Sequence, residues 1–179
     1  WIAWPHHEPD WPGKLGAIPW VYAEIVRALH LHEPVWILCH DAGVQEAAEK
    51  HLRAHGVDLS RCHLAVVPND RVWLRDTGPS GVHAEGEFRW INWAFNGWAK
   101  YPNHTLDSQV GAEVARLSGH DFSRPQRPDG DALVLEGGGI EGNGAGLLMV
   151  TEEWLLTDIQ IRNPGMTRQD YERAFQQHL

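Results

Sequence analysis

Three observations predict an α/β fold for this 179-residue chain. Short continuous apolar runs, Val35–Cys39 and His63–Pro68, have the length and bounding residues of buried strands. Other stretches place apolar residues at the 3.6-residue helical period. The two kinds follow one another as helix, strand, helix, strand pair, helix, strand pair, a loose internal repeat that a final helix opens once more.

Each element has its local cause. Trp1-Ile2-Ala3-Trp4-Pro5 reads as the inside of a strand, and with no initiator Met the chain is expected to be truncated at its front. A helix is predicted from about Ile18 to Leu31, burying Val21, Ile25, Ala28 and Leu29 and turning Glu24 and Arg27 away. Glu33-Pro34 leads into the strand Val35–Cys39. A second helix runs from Gly43 to His55, where Gly56 stops it. His63–Pro68 then delivers the chain into a loop, Asn69–Pro79. Strand-like pieces at Ser80–His83 and Phe88–Trp93 precede a Gly-, Asn- and Trp-rich loop through Asn103. A third helix, Leu106 to Gly119, has Val110, Val114 and Leu117 as its buried stripe. Pro125 and Pro128 mark Ser123–Asp131 as a surface loop. Ala132–Glu136 and Gly146–Thr151 are predicted to pair as strands across a Gly-rich turn, and a last helix starts at Thr167 and is still running at Leu179.

Composition excludes several classes of function. The formal charge of −9 and a pI near 5.7 argue against nucleic acid, whose phosphates need a basic face, and favour a small cationic partner. Cys39 and Cys62 are the only cysteines and no charged-then-apolar leader precedes the first helix, so a reducing cytoplasm is expected and no disulfide framework. No apolar run approaches the roughly 18 residues that a membrane helix requires. The length suits one domain, residues 1–179.

The chemistry concentrates in two segments. NDRVWLRDTGP, residues 69–79, and Leu135-Glu136-Gly137-Gly138-Gly139 each end an apolar run with a carboxylate followed by glycine. Asp76 and Glu136 in these positions suit the grip of a planar cation, since glycine lets ligand or backbone approach closely. Trp73 offers an indole face to a guanidinium or its alkyl chain, although core filling would also explain it. Other motifs carry less. Gly137–Gly142 satisfies G-x-G-x-x-G, but Asn143-Gly144 follows as a hairpin turn rather than the helix a dinucleotide needs. His51 and His55 stand four apart with no third ligand, so they read as surface histidines and not as a metal site. Cys39-His40-Asp41 cannot act as a catalytic trio, because neighbouring strand residues point to opposite faces. Cys39 reads as a small core residue, and Gly119 as a helix cap.

Taken together, Trp4-Pro5, NDRVWLRDTGP, the W-x-F-N-x-W of Trp93 to Trp98, LEGGGIEGNGAG at 135–146 and TEEWLL at 151–156 resemble, in order, the agmatine deiminase and bacterial peptidylarginine deiminase family of guanidino-modifying enzymes. The resemblance spans essentially the whole chain. It implies a pentein-type α/β propeller, here incomplete, with about two of five repeats and the start of a third; residues 1–179 would then be the N-terminal part of a single deiminase domain. It implies that Asp76 clamps the guanidinium nitrogens, that Glu136 lies near substrate and catalytic His, and that Trp73 lines the substrate channel. The implied reaction is covalent: a Cys thiolate attacks the guanidinium carbon, a His hands a proton to departing ammonia, and water hydrolyses the amidino-enzyme. It requires no metal and no cofactor.

Two departures stand out. Trp154 occupies a position where agmatine deiminases commonly carry a Cys that is not the nucleophile. The family's Gly-His-x-Asp segment and its C-terminal nucleophile match nothing here, so the chain alone is expected to be inactive. Agmatine is the expected substrate, with peptidyl-arginine as the alternative. A different class of reading is a non-catalytic module that keeps the carboxylate clamp for a guanidino ligand, its open edges inviting self-association as a homo-oligomer. A nucleotide-binding α/β protein is the third.

Overall fold

The computed structural model describes residues 1–84 and 86–179 and resolves them into two compact units, Trp1–Leu74 and Arg75–Leu179. The α/β class holds in both.

The first unit is built on a parallel sheet of β1 (Ile2–Ala3), β2 (Val35–Cys39) and β3 (Cys62–Val66), with β2 in the centre. Helix α1 (Ile18–Leu29) connects β1 to β2, and α2 (Ala42–Ala54) connects β2 to β3. Val35, Ile37 and Cys39 alternate onto one face of β2 and meet Trp4, Ala23, Val26, Ala48 and Leu52 in the core. The ends of α2 are local in origin. The Asp41 carboxylate accepts the Val44 amide at 2.8 Å, and Gly56 follows with φ 70°. Helix α1 corrects the predicted stripe. Ala23 and Val26 are buried with Tyr22 and Leu29 packed beside them, whereas Val21 and Ile25 are 52% and 43% exposed. The helix is apolar over two adjoining stripes. Its period therefore locates a face only to within about one residue's turn of 100°, and the sheet selected the neighbouring one.

The second unit begins at Arg75, within the single turn α3 (Leu74–Thr77), inside the segment expected to be loop. Strands β4 (Ser80–Ala84) and β5 (Glu87–Ile91) form an antiparallel hairpin. Helix α4 (Asp107–Ser118) buries Val110 and Val114, with Leu117 half-buried, and ends at left-handed Gly119, φ 72°. Strand β6 (Phe122–Ser123) then joins β5 in parallel. The predicted pairing of Ala132–Glu136 with Gly146–Thr151 does not form. The actual hairpin joins β7 (Glu141–Gly142) to β8 (Leu148–Met149) around Asn143-Gly144. Residues 132–136 are extended but make only isolated bridges, Val134 to Ala94 in parallel and Ala132 to Gln126 antiparallel. Their other edge is satisfied by a side chain: Asn163 donates to the Val134 carbonyl at 2.8 Å and accepts the Val134 amide at 2.9 Å. An amide side chain carries one acceptor and two donors, so it replaces a neighbouring strand at this one residue. Helices α5 (Glu152–Leu156) and α6 (Arg168–His178) complete the unit, α6 starting in a capping box between Thr167 and Asp170. Ile91, Trp93, Leu133, Leu135, Ile140 and Tyr171 form its core. Among the described residues no helix is long and apolar enough to cross a membrane.

Candidate active site

Asp76 and Glu136, sixty residues apart in sequence, are drawn together in the second unit by the glycine turn that follows Glu136. Gly137–Gly139 form one 3-10 turn. Each glycine is required by a different neighbour. A Cβ at Gly137 would strike the Arg75 carbonyl, one at Gly138 the Asp76 carboxylate, and one at Gly139 the Trp154 indole. The run of glycines is therefore a surface for close approach and not a dinucleotide loop, since strand β7 rather than a helix follows it.

The half-buried Asp76 carboxylate is held at both oxygens. Oδ1 accepts the Gly138 amide at 2.9 Å, and Oδ2 accepts the Trp98 indole N–H at 3.0 Å. Glu136 is only 2% exposed and is also held at both oxygens. Its Oε2 accepts the Trp154 indole N–H at 2.8 Å, and its Oε1 accepts the Arg162 Nε–H at 3.1 Å in a nearly dry ion pair. Burying a carboxylate in this way requires such partners, because an unpaired charge would cost several kcal/mol of desolvation. Arg162 also donates to the Gln160 carbonyl at 2.9 Å, and adjacent Asn163 grips Val134, so this dipeptide fixes the segment that carries Glu136.

Trp98 reaches Asp76 from an unusual backbone. Gly97, Trp98 and Ala99 have φ values of 66°, 61° and 51°, three left-handed residues in a row. For Trp98 and Ala99 this conformation costs about 1–2 kcal/mol each. The Asn96 side chain accepts the Ala99 amide at 2.9 Å and the Gly97 carbonyl accepts the Lys100 and Tyr101 amides, which closes the turn. Phe95 and Tyr101 pack edge to face on the Trp98 ring.

Trp73 lies in the first unit. It is 44% exposed, and its ring stacks on Trp11 with centroids 6.1 Å apart. Neither cysteine is placed for nucleophilic work. Both are buried, and desolvation, with Glu49 and Asp41 adding to it, pushes the Cys39 thiol up to about 12, while burial also raises Cys62. The thiolate is the nucleophilic form, so these thiols are inert. His51 lies on α2 and His55 caps its C-terminal end, where the His51 carbonyl accepts from His55 Nδ1 at 2.7 Å. Among the described residues no group of three or more His, Cys, Asp and Glu could hold a metal ion.

Sequence reasoning overlooked Arg162 and Asn163, which sit in a polar stretch with no periodic signal. It recorded Trp98 and Trp154 within motifs without assigning them partners. Trp98 and Trp154 stand 22 and 18 residues from the carboxylates they meet, and Trp154 passes over its neighbours Glu152 and Glu153, so the sequence gives no local sign of either partner.

A family profile described as Porphyromonas-type peptidyl-arginine deiminase matches residues 1–179. The agmatine deiminase of Pseudomonas fluorescens Pf-5 is 33% identical over 187 residues, covering 100% of this chain and 47% of that protein. A solved structure provisionally assigned as an agmatine deiminase superposes with a TM-score of 0.83 at 30% identity, over 98% of this chain and 48% of its own. The agmatine deiminase of Enterococcus faecalis, at 24% identity, shares the fold with a TM-score of 0.79 over 97% of this chain and 45% of its own. The chain thus spans about half the length of the curated relatives it matches.

Proposed function

The chain belongs to the Porphyromonas-type peptidyl-arginine deiminase family, and on that premise we propose that it is the N-terminal part of an agmatine deiminase, contributing the guanidinium-binding half of the active site. The observation that carries this reading is the gathering of Asp76 and Glu136 around the Gly137–Gly139 turn, each carboxylate held at both oxygens by fixed donors. An ionised carboxylate has about four acceptor positions. At Asp76 the two bonds use one position on each oxygen, and the second position on each suits two parallel N–H bonds from a planar guanidinium.

In the intact protein Asp76 holds the guanidinium of agmatine charged and aligned. Glu136, held in place by Arg162 and Trp154, supplies a second carboxylate beside the attacked carbon. A Cys thiolate and a His contributed by chain beyond these residues carry the covalent steps. Sulfur bonds to the guanidinium carbon, ammonia departs with a proton from His, and water releases N-carbamoylputrescine and regenerates the thiolate. Residues 1–179 then form about two of five propeller repeats and the start of a third, within one deiminase domain. The enzyme works in the cytoplasm.

The test is ammonia release from agmatine by the intact protein, with and without Asp76→Asn. Turnover that falls by at least a hundredfold in the variant supports the reading. Turnover of a peptidyl-arginine substrate but not of agmatine would move the assignment to the other branch of the family. Activity from residues 1–179 alone would overturn the division of labour.

A further inference from the structure

The geometry points to Trp98 as a positioning residue for Asp76, held in place for that task by the left-handed turn 97–99. Three observations converge on it. The Trp98 indole N–H donates to Asp76 Oδ2 at 3.0 Å, opposite the Gly138 amide on Oδ1, so the carboxylate plane is pinned from both sides. The residue sits in a backbone conformation that L side chains rarely adopt, as does Ala99 after it. Non-glycine residues persist there only where the surroundings over-determine them, and such outliers cluster at functional sites. The turn is also buttressed: Asn96 caps the Ala99 amide, Phe95 and Tyr101 pack on the ring, and a side chain at Gly97 would press on His104.

The function of this arrangement is rotational. A half-buried Asp on a single helical turn can spin about its χ angles, and a freely turning carboxylate offers a bidentate cation the right edge only part of the time. With the indole and the amide each fixing one oxygen, the carboxylate waits in one orientation, and the ordering cost is met on folding rather than on binding. Trp98 itself touches no reacting atom in this scheme.

The inference rests on the reading of Asp76 as the guanidinium clamp, but the hydrogen bond can be tested apart from it. In the intact protein with 15N-labelled tryptophan, Asp76→Asn should move the Trp98 indole resonance upfield, the resonance being identified by its loss in Trp98→Phe. An indole signal indifferent to Asp76→Asn overturns the proposal whatever the protein's reaction is, and whether or not Trp98→Phe folds. Trp98→Phe keeps a six-membered ring against Phe95 and Tyr101 and removes the donor together with the five-membered ring that carries it. It should lower kcat/KM for agmatine about 10- to 100-fold, the loss expected for one hydrogen bond to a charged group, with KM rising while the melting temperature stays within a few degrees. Unchanged kcat/KM in Trp98→Phe would also overturn it. Failure of the wild-type protein to turn over agmatine would instead remove the functional reading and leave the indole test standing.

Discussion

Arg162→Met is the most discriminating perturbation of the buried carboxylate. The Arg162 and Glu136 side chains are 12% and 3% exposed and meet at 3.1 Å. At that separation and an effective dielectric near 20, the attraction is about 5 kcal/mol before desolvation is counted. Dehydrating both ions offsets much of that sum, so the intact pair adds little net stability. Deleting only the cation is different, because Glu136 stays buried with the Trp154 N–H as its remaining donor. We expect a loss of about 3–5 kcal/mol, the usual result of orphaning one member of a buried pair. Methionine preserves most of the stem's volume, which limits any cavity contribution. Adding Glu136→Gln should recover at least half of the loss, since the amide oxygen still accepts from Trp154 and no charge remains to be buried. Urea unfolding followed by circular dichroism, run on the wild type, both single variants and the double, gives the coupling energy directly. A loss below about 1 kcal/mol in Arg162→Met, the value of an exposed pair, would refute the reasoning and place Glu136 in contact with water.

Gly137→Ala should cost about 1–3 kcal/mol by urea unfolding, because its Cβ meets the Arg75 backbone carbonyl, which cannot swing aside; wild-type stability would refute that close approach. Thr167→Ala removes half of the capping box of α6 and should cost about 1 kcal/mol; an unchanged denaturation midpoint would show that the cap does not form. Cys39 should resist a thiol reagent at pH 8 in the folded protein and react once unfolded. Its folded value of about 12 lies above its ordinary 9.0, so between those values the unfolded chain gives up a proton that the folded chain keeps. Stability attributable to Cys39 must therefore fall as pH rises across that window, and a Cys39→Ala variant should show a shallower decline; equal slopes would contradict the burial.

Features of local origin were legible in the sequence. Val35–Cys39 forms a strand over the predicted residues, and the Gly119 and Thr167 helix boundaries stand where expected. These depend on short-range causes, namely the apolar period, a side-chain oxygen three residues from an amide, and glycine's freedom at positive φ. Asp76 and Glu136 were legible as candidates for a related reason: a carboxylate beside glycines at the end of an apolar run is costly unless something needs it. Tertiary structure decided the partners. Helix α1 turned a neighbouring stripe to the core because two of its stripes were apolar enough to dock. At Val134, in the middle of the segment 132–136, the Asn163 side chain, 29 residues further on, takes the place of the predicted strand partner. Trp98, Trp154 and Arg162 reach their carboxylates across 22, 18 and 26 residues. Hydrogen-bonding capacity is written into each residue, but which donor meets which acceptor is settled only when packing brings distant segments within 3 Å of one another.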